Sequence, residues 1–156
     1  MLKKCFTFPT QRGVTLIEVL LAVVLIGILS AALIQLGITA LKGANAGKMR
    51  SVAVELTKQG LEAARAKRDE NSSAFFAQSD GFYRYTGSAF EPISGTEPVM
   101  PADKDPYAVT GFTNYYRVIH FETTATDTIT VTVKTYWQEG GSYNSVDMAT
   151  VLTKWR

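Results

Sequence analysis

The chain has 156 residues, 46% of them hydrophobic, and a net charge of +2, which suits one small domain plus one membrane segment. Lys3, Lys4 and Arg12 precede residue 13, and without residues 1–13 the charge falls by three to −1, which excludes a general basic surface for nucleic acid. The one cysteine, Cys5, lies in the same stretch, so residues 14–156 have no disulfide.

The first feature along the chain is a basic, polar leader that ends at Gly13 and precedes an apolar run from Leu16 to Leu41. About twenty apolar residues suffice to cross a bilayer as a helix. The run contains one carboxylate, Glu18. A charged side chain at the centre of a membrane helix costs at least about 2.5–3.5 kcal/mol, so its presence indicates a function.

The residues Gly13-Val-Thr-Leu-Ile-Glu18 resemble the N-terminal signal of type IV pilins and of the pseudopilins of type II secretion and DNA-uptake systems. The resemblance implies that a prepilin peptidase cuts between Gly13 and Val14 and methylates the new amino terminus of Val14. Val14 stands where the family usually has Phe. The resemblance also implies that Glu18 sets the register of filament assembly by pairing with the amine of a neighbouring subunit.

Two other interpretations of the N-terminus fit these residues less well. An ordinary secretory signal has a shorter apolar core with a small-residue cleavage site after it, whereas here Gly13 precedes the run. A plain single-span anchor explains neither Glu18 nor the order of residues around it. Basic residues flank both sides of the run, so the charge count does not decide the orientation; the family resemblance places the leader in the cytoplasm.

The helical pattern continues beyond the apolar run. Apolar and small residues recur with helical spacing on one face, namely Met49, Val52, Ala53, Leu56, Gly60, Ala63 and Ala64. No proline interrupts residues 14–70. The sequence therefore predicts one helix over about residues 15–70, ended by Asn71-Ser-Ser73, a triplet that also matches a glycosylation acceptor.

The rest of the chain has a strand-like pattern. Strands are predicted at Phe82–Tyr85, Tyr115–Glu122, Thr128–Val133 and Val146–Trp155, with Ile129, Val131 and Val133 on one buried face. Residues 91–106 contain four of the five prolines and are predicted to be a loop, and Gln138–Ser145 is predicted to be a hairpin turn.

Residues suited to catalysis or metal binding are few. His120 is the one histidine and has no cysteine to join it. Asp103 and Asp105 are weak candidates for calcium, because Lys104 separates them and no further ligand pattern follows. Since phosphate-binding, nucleophile and zinc motifs are missing, the sequence predicts neither an enzyme nor a required cofactor.

An aromatic group beside one arginine allows two interpretations, a platform for single-stranded DNA or packing within the protein. Its members are Tyr107, Phe112, Tyr115, Tyr116 and Arg117. Stacking rings and a cation suit such a ligand, but one arginine is few, and packing within the protein is the preferred interpretation. Binding of nucleic acid is therefore not predicted.

The predicted fold is α+β, with a long N-terminal helix packed at its C-terminal half on an antiparallel sheet of three to four strands, the lollipop fold of pilins. The predicted parts are a cleaved leader (1–13), a membrane-spanning and filament-core helix (14–41), an amphipathic helix (42–73) and a β-rich head (74–156). The resemblance implies a single-pass inner-membrane protein with its head outside the cytoplasm, later part of a surface or periplasmic filament. The implied partners are other subunits, the prepilin peptidase, and an inner-membrane assembly platform with its ATPase.

A minor pilin of a priming or tip complex is the predicted role. This prediction depends on Val14, on the absence of a disulfide after residue 13, and on a final strand that ends Lys154-Trp155-Arg156 and is similar to the tail of minor pilins and pseudopilins. A minor pseudopilin of a secretion or DNA-uptake system and a single-span anchored binding domain remain as alternatives.

Overall fold

The computed structural model describes residues 15–93 and 107–154. Helix α1 runs over Leu16–Glu70, 55 residues without interruption. The predicted helix over residues 15–70 is therefore confirmed. No proline lies in this range to remove a backbone donor.

Helix α1 ends where Asn71 turns the chain. The side-chain oxygen of Asn71 accepts a hydrogen bond from the backbone N–H of Ala74 at 3.0 Å, which caps a second short helix, α2, over Ser72–Phe76. The predicted stop at Asn71 is confirmed. Ser72 and Ser73, predicted to belong to the stop, instead begin α2, because an asparagine cap favours helix formation in the residues that follow.

Five antiparallel strands form one sheet with the order β2-β1-β3-β4-β5. The strands are β1 (Gly81–Tyr85), β2 (Phe90–Ile93), β3 (Tyr115–Ala125), β4 (Thr128–Glu139) and β5 (Ser142–Thr153). The α+β class and the packing of the helix on the sheet are as predicted, but the predicted count of three to four strands is too low.

The extra strand is β2, part of which was predicted to be a loop. Residues 91–93 of the predicted loop 91–106 pair with β1, and Pro92 lies opposite Tyr83. Proline is tolerated here because β2 is an edge strand among the described residues, so no second neighbour needs its missing N–H. Residues 94–106 lie outside the described part of the chain.

The predicted turn at Gln138–Ser145 is too long. β4 continues to Glu139 and β5 starts at Ser142, so the turn consists of Gly140 and Gly141 alone. Their φ angles of 58° and 90° are the positive values that a tight two-residue hairpin requires, and glycine adopts them without a steric penalty. β5 consequently begins earlier than the predicted Val146; Trp155, its predicted end, lies outside the described residues.

The chain divides into two compact units, residues 1–43 and 44–156. The core of the second unit lies between α1 and the inner face of the sheet, where alternate residues of β4 are buried as predicted: Ile129, Val131 and Val133 are at most 1% exposed. The helix contributes Ala53, Leu56, Thr57, Gly60, Leu61 and Ala64. Thr57 and Leu61 were not part of the predicted stripe.

Two features allow α1 to approach the sheet closely. Gly60 faces Val133, and a methyl group on Gly60 would lie 2.8 Å from Val133 Cγ1. The hydroxyl of Thr57 donates to the carbonyl of Ala53 and bonds the hydroxyl of Thr135, both at 2.8 Å. Thr57 and Thr135 are fully buried, so this pair satisfies polar groups that would otherwise be costly in the core.

Candidate assembly site

The candidate site begins at the first turn of α1. The carbonyl of Thr15 accepts hydrogen bonds from the backbone N–H groups of Glu18 at 3.0 Å and Val19 at 3.3 Å, which starts the helix. Glu18 therefore lies in the first turn, where unpaired backbone N–H groups give the helix end a partial positive charge. A carboxylate at this position is favoured locally, although it is costly in an apolar surrounding.

The segment that follows is apolar on all sides and uncovered. Every residue from Thr15 to Asn45 is exposed, including large side chains such as Leu16 at 78% and Leu33 at 69%. This part of α1 is long and apolar enough to cross a membrane, and none of it is buried within the described structure. Such a surface needs lipid or other protein helices around it.

The hydroxyl side chains inside the apolar segment, Ser30 and Thr39, bond to carbonyl groups of the helix itself. The hydroxyl of Ser30 donates to the carbonyl of Ile26 at 2.8 Å, and that of Thr39 donates to the carbonyl of Gln35 at 2.9 Å. Bonds of this kind let hydroxyl groups enter an environment without water. Glu18 differs because its carboxylate carries a charge, and at membrane depth a charge is costly unless an opposite charge and hydrogen-bond donors pair with it.

Only one of the predicted assembly residues is described by the structure. Glu18 is described, whereas Gly13 and Val14 lie outside the described residues, so cleavage between them and methylation of Val14 stay predictions. The two weak calcium candidates, Asp103 and Asp105, also lie outside them. Within residues 15–93 and 107–154, no cluster of three or more histidine, cysteine or acidic side chains is arranged to hold a metal.

The aromatic residues near Arg117 are divided between the two faces of the sheet. Tyr107 and Tyr116 are buried in a cluster on the outer face with Val118 and Tyr136. Arg117 points to the inner face, where its Nη1 donates to the carbonyl of Leu56 at 3.1 Å. The preferred interpretation, packing within the protein, is thus confirmed for Tyr107 and Tyr116.

Arg117 is packed within the head as well, in agreement with the preferred interpretation. It is 8% exposed and lies 5.6 Å from the centre of the Tyr85 ring. Burial lowers the pKa of its guanidinium, and the nearby Tyr85 opposes that change. Strand alternation with Ile119 and Phe121 was the signal that could have placed it on the inner face.

His120 is a structural residue in this fold. Its ring stacks on that of Phe82, with 4.6 Å between the centroids, across the pairing of β3 with β1. Tyr115, from the start of the same strand, donates its hydroxyl to the carbonyl of Met49 at 3.3 Å, and burial raises its pKa. Both side chains connect parts of the second unit.

A family model described as the prokaryotic N-terminal methylation motif matches residues 9–34. The chain carries the signature of type IV pilins and pseudopilins. The match covers the predicted cleavage position, Glu18 and most of the exposed apolar segment. Comparisons with curated proteins and with solved structures gave no match.

The motif has general consequences. It implies processing by a prepilin peptidase and assembly with other pilin-type subunits, and it suggests a structural subunit rather than an enzyme. Together with the one apolar helix, it is consistent with a single-pass membrane anchor.

Proposed function

We propose that this protein is a minor type IV pilin, cut after Gly13, methylated on Val14 and assembled into a filament through the apolar part of α1. The observation that supports this most is the combination of the methylation motif at residues 9–34 with a helix that exposes its apolar surface in full. A bilayer covers that surface before assembly, and the helices of other subunits cover it afterwards.

Glu18 gives this assembly a defined register. After cleavage, the amine of Val14 is cationic and Glu18 is anionic, and an unpaired charge in a low-dielectric environment is penalised far more than a paired one. Dispersion contacts between apolar helices tolerate an axial slip, whereas a charge pair does not. Pairing of Glu18 with the amine of an adjacent subunit therefore selects one axial position.

A minor role in a priming or tip complex is the finer part of the proposal. It is supported by the absence of cysteine after residue 13, because a disulfide contributes about 2–4 kcal/mol of stability in subunits that must withstand tension and exposure. A subunit present in few copies is under less of that demand.

Quantitative mass spectrometry of sheared, purified filaments tests the proposal. We expect the chain to be present in filaments at a small fraction of the most abundant subunit. If it is the dominant subunit, the minor role is wrong; if it is absent from filaments yet abundant in membranes, the single-span anchored domain is favoured. Finding it in the short periplasmic filament of a secretion system instead of a surface pilus favours the pseudopilin.

A further inference from the structure

The junction between the two helices carries a motif that filament assembly does not use. Asn71, Ser72 and Ser73 follow the order asparagine, any residue except proline, then serine or threonine. This order is the acceptor motif for glycans attached to asparagine in segments outside the cytoplasm. Because such triplets also occur by chance, exposure and the available atoms decide whether one can be modified. Asn71 and Ser73 are both exposed.

The hydrogen bond of the Asn71 side chain fixes which way its amide points. The backbone N–H of Ala74 is a donor, so at 3.0 Å it faces the oxygen Oδ1 and not the amide nitrogen. The nitrogen Nδ2 therefore lies on the other side of the planar amide. Within residues 15–93 and 107–154 this nitrogen makes no hydrogen bond. The cap of α2 and a glycan acceptor thus need different atoms, and the helix stop at Asn71 does not exclude modification.

A glycan on Nδ2 preserves the cap of α2. Attachment replaces one N–H bond of the amide by an N–C bond and leaves the carbonyl unchanged, so Oδ1 still accepts from Ala74. The hydroxyl of Ser73, the third member of the motif, likewise has no hydrogen-bond partner in the described part of the chain. Both groups that the motif requires are consequently available.

An open cleft beside Asn71 offers polar contacts to a sugar. Its volume is about 150 Å³, and Glu70 and Gln78 are among the residues that line it. The Oε1 atom of Gln78 is buried and has no hydrogen-bond partner among the described residues. Buried acceptors are usually paired, and the hydroxyl groups of a sugar are donors of the kind that this acceptor lacks.

The triplet can open without disrupting the core of the head. Helix α2 has five residues, far fewer than the roughly 12–15 that an isolated helix needs in water. Ser72 and Ser73 begin its first turn, whereas Phe75 is its buried residue. Opening of the first turn therefore presents the triplet to an enzyme while Phe75 stays in the core.

We propose that Asn71 is an N-glycosylation site, modified on Nδ2 by a membrane oligosaccharyltransferase. The donor is a glycan joined through a diphosphate to a polyprenol lipid. A bond forms between Nδ2 and the anomeric carbon, and the bond from that carbon to the diphosphate oxygen breaks. The polyprenyl diphosphate leaves, and Nδ2 gives one proton to a base of the transferase. This inference rests on the proposed function for one point, the position of the head outside the cytoplasm.

Mass spectrometry of the chain, purified from the cells that naturally produce it, tests this site. Trypsin cuts after lysine and arginine, so it releases residues 69–84 as one peptide, which contains one asparagine. We expect that peptide to carry the added mass of a glycan on Asn71.

Three variants locate the attachment. Asn71→Asp keeps a capping oxygen but lacks the acceptor nitrogen, and Ser73→Ala lacks the hydroxyl of the motif, so both should lose the added mass completely. Ser73→Thr keeps the motif and is the matched control, which should retain the added mass. A wild-type peptide found at its unmodified mass alone overturns the site. An added mass that persists in Asn71→Asp, or that is lost in Ser73→Thr, also overturns it.

Thermal unfolding separates loss of the glycan from loss of the fold. Aspartate caps helices about as well as asparagine, so Asn71→Asp and wild type, both produced without the transferase, should unfold at the same temperature. If Asn71→Asp unfolds early, Ser73→Ala decides, because it keeps Asn71 and its cap.

The proposed function and the glycosylation site can fail separately. A chain that carries the glycan but is absent from filaments contradicts the proposed function and supports the site. A chain that is present in filaments with Asn71 unmodified overturns the site and supports the proposed function.

Discussion

The apolar segment over residues 16–41 and the head from residue 44 onward follow opposite packing rules. In the segment, large side chains such as Leu16 and Leu33 are more than two-thirds exposed, whereas in the head Ile119, Val131 and Val133 are fully buried. The head completes its own core, and the segment must obtain its partners from lipid or from other chains. This difference shows that the segment is selected for contacts that the single chain does not supply, and each of the following experiments tests one side of it.

The largest effect is expected at Glu18. Glu18→Gln should be processed normally but enter filaments at least about tenfold less well, because the neutral amide leaves the cationic amine of a neighbouring subunit unpaired in an apolar surrounding. Comparison of the blotted membrane and filament fractions measures this. Glu18→Asp keeps the carboxylate and is the control. Normal incorporation of the glutamine variant would remove the register role.

Two glycine substitutions on α1 test how closely the helix approaches the sheet within the head. Gly60→Ala should lower the free energy of unfolding of the head by about 1–3 kcal/mol, since the added methyl group meets Val133 at 2.8 Å. Gly47→Ala, on the same helix with nothing within 4 Å, should be neutral or stabilising by up to about 1 kcal/mol. Denaturant unfolding of the detergent-solubilised chain, followed by tryptophan fluorescence, measures both. Equal effects of the two substitutions would refute the close approach of helix and sheet at Gly60.

Loss of the buried threonine pair should have an effect on the free energy of unfolding of similar size. Thr57→Val leaves the hydroxyl of Thr135 without its partner in the core and should cost about 1–3 kcal/mol of unfolding free energy. Adding Thr135→Val removes the orphaned hydroxyl and should recover part of that loss, because replacing both partners is close to neutral. A double variant that loses the sum of the two single effects would show that the hydroxyls do not act as a pair.

The sequence determines much of this fold because its strongest patterns are local. The spacing of Ala53, Leu56 and Gly60 and the alternation through Ile129 and Val131 predict the helix and the central strand. β2 was not predicted because a proline such as Pro92 usually indicates a loop. The proline is tolerated in this strand only because β2 lies at an edge of the sheet among the described residues. The burial of Thr57 depends on a partner 78 residues away, which no local pattern reveals.

For the assembly residues too, local patterns can be recognised in the sequence, whereas features that depend on distant residues cannot. The order of residues from Gly13 to Glu18 is a short, contiguous signal, so it is readable without the fold. The position of β5 at an edge of the sheet, among the described residues, is not readable in this way, because it depends on which strands become neighbours. The strand was predicted, whereas its position at the edge became visible only with the complete strand order.

The smallest expected effect is a change with pH in the free energy of unfolding of the head. The side-chain and backbone hydrogen bonds from Thr123 lower the pKa of Asp80 from its ordinary value of 3.8. The ionised carboxyl therefore stabilises the head above that value, and the stabilisation is lost as the pH falls through the lowered pKa. Asp80→Asn should reduce the unfolding free energy slightly at pH 7, and the difference from wild type should shrink towards pH 3. Asp147→Asn, at an exposed position of β5, is the control, and a difference that grows on acidification would contradict this role.

The central claim is that this chain is a processed, prepilin-type filament subunit. Mass spectrometry of the N-terminal peptide, from protein purified out of cells with and without an active prepilin peptidase, tests it most directly. We expect the chain to start at Val14 and to carry one methyl group when the peptidase is active, and to retain residues 1–13 when the peptidase is inactive or Gly13 is replaced by Leu. An unprocessed N-terminus in the presence of the active peptidase, or the same shortening in the Gly13→Leu variant, would contradict it.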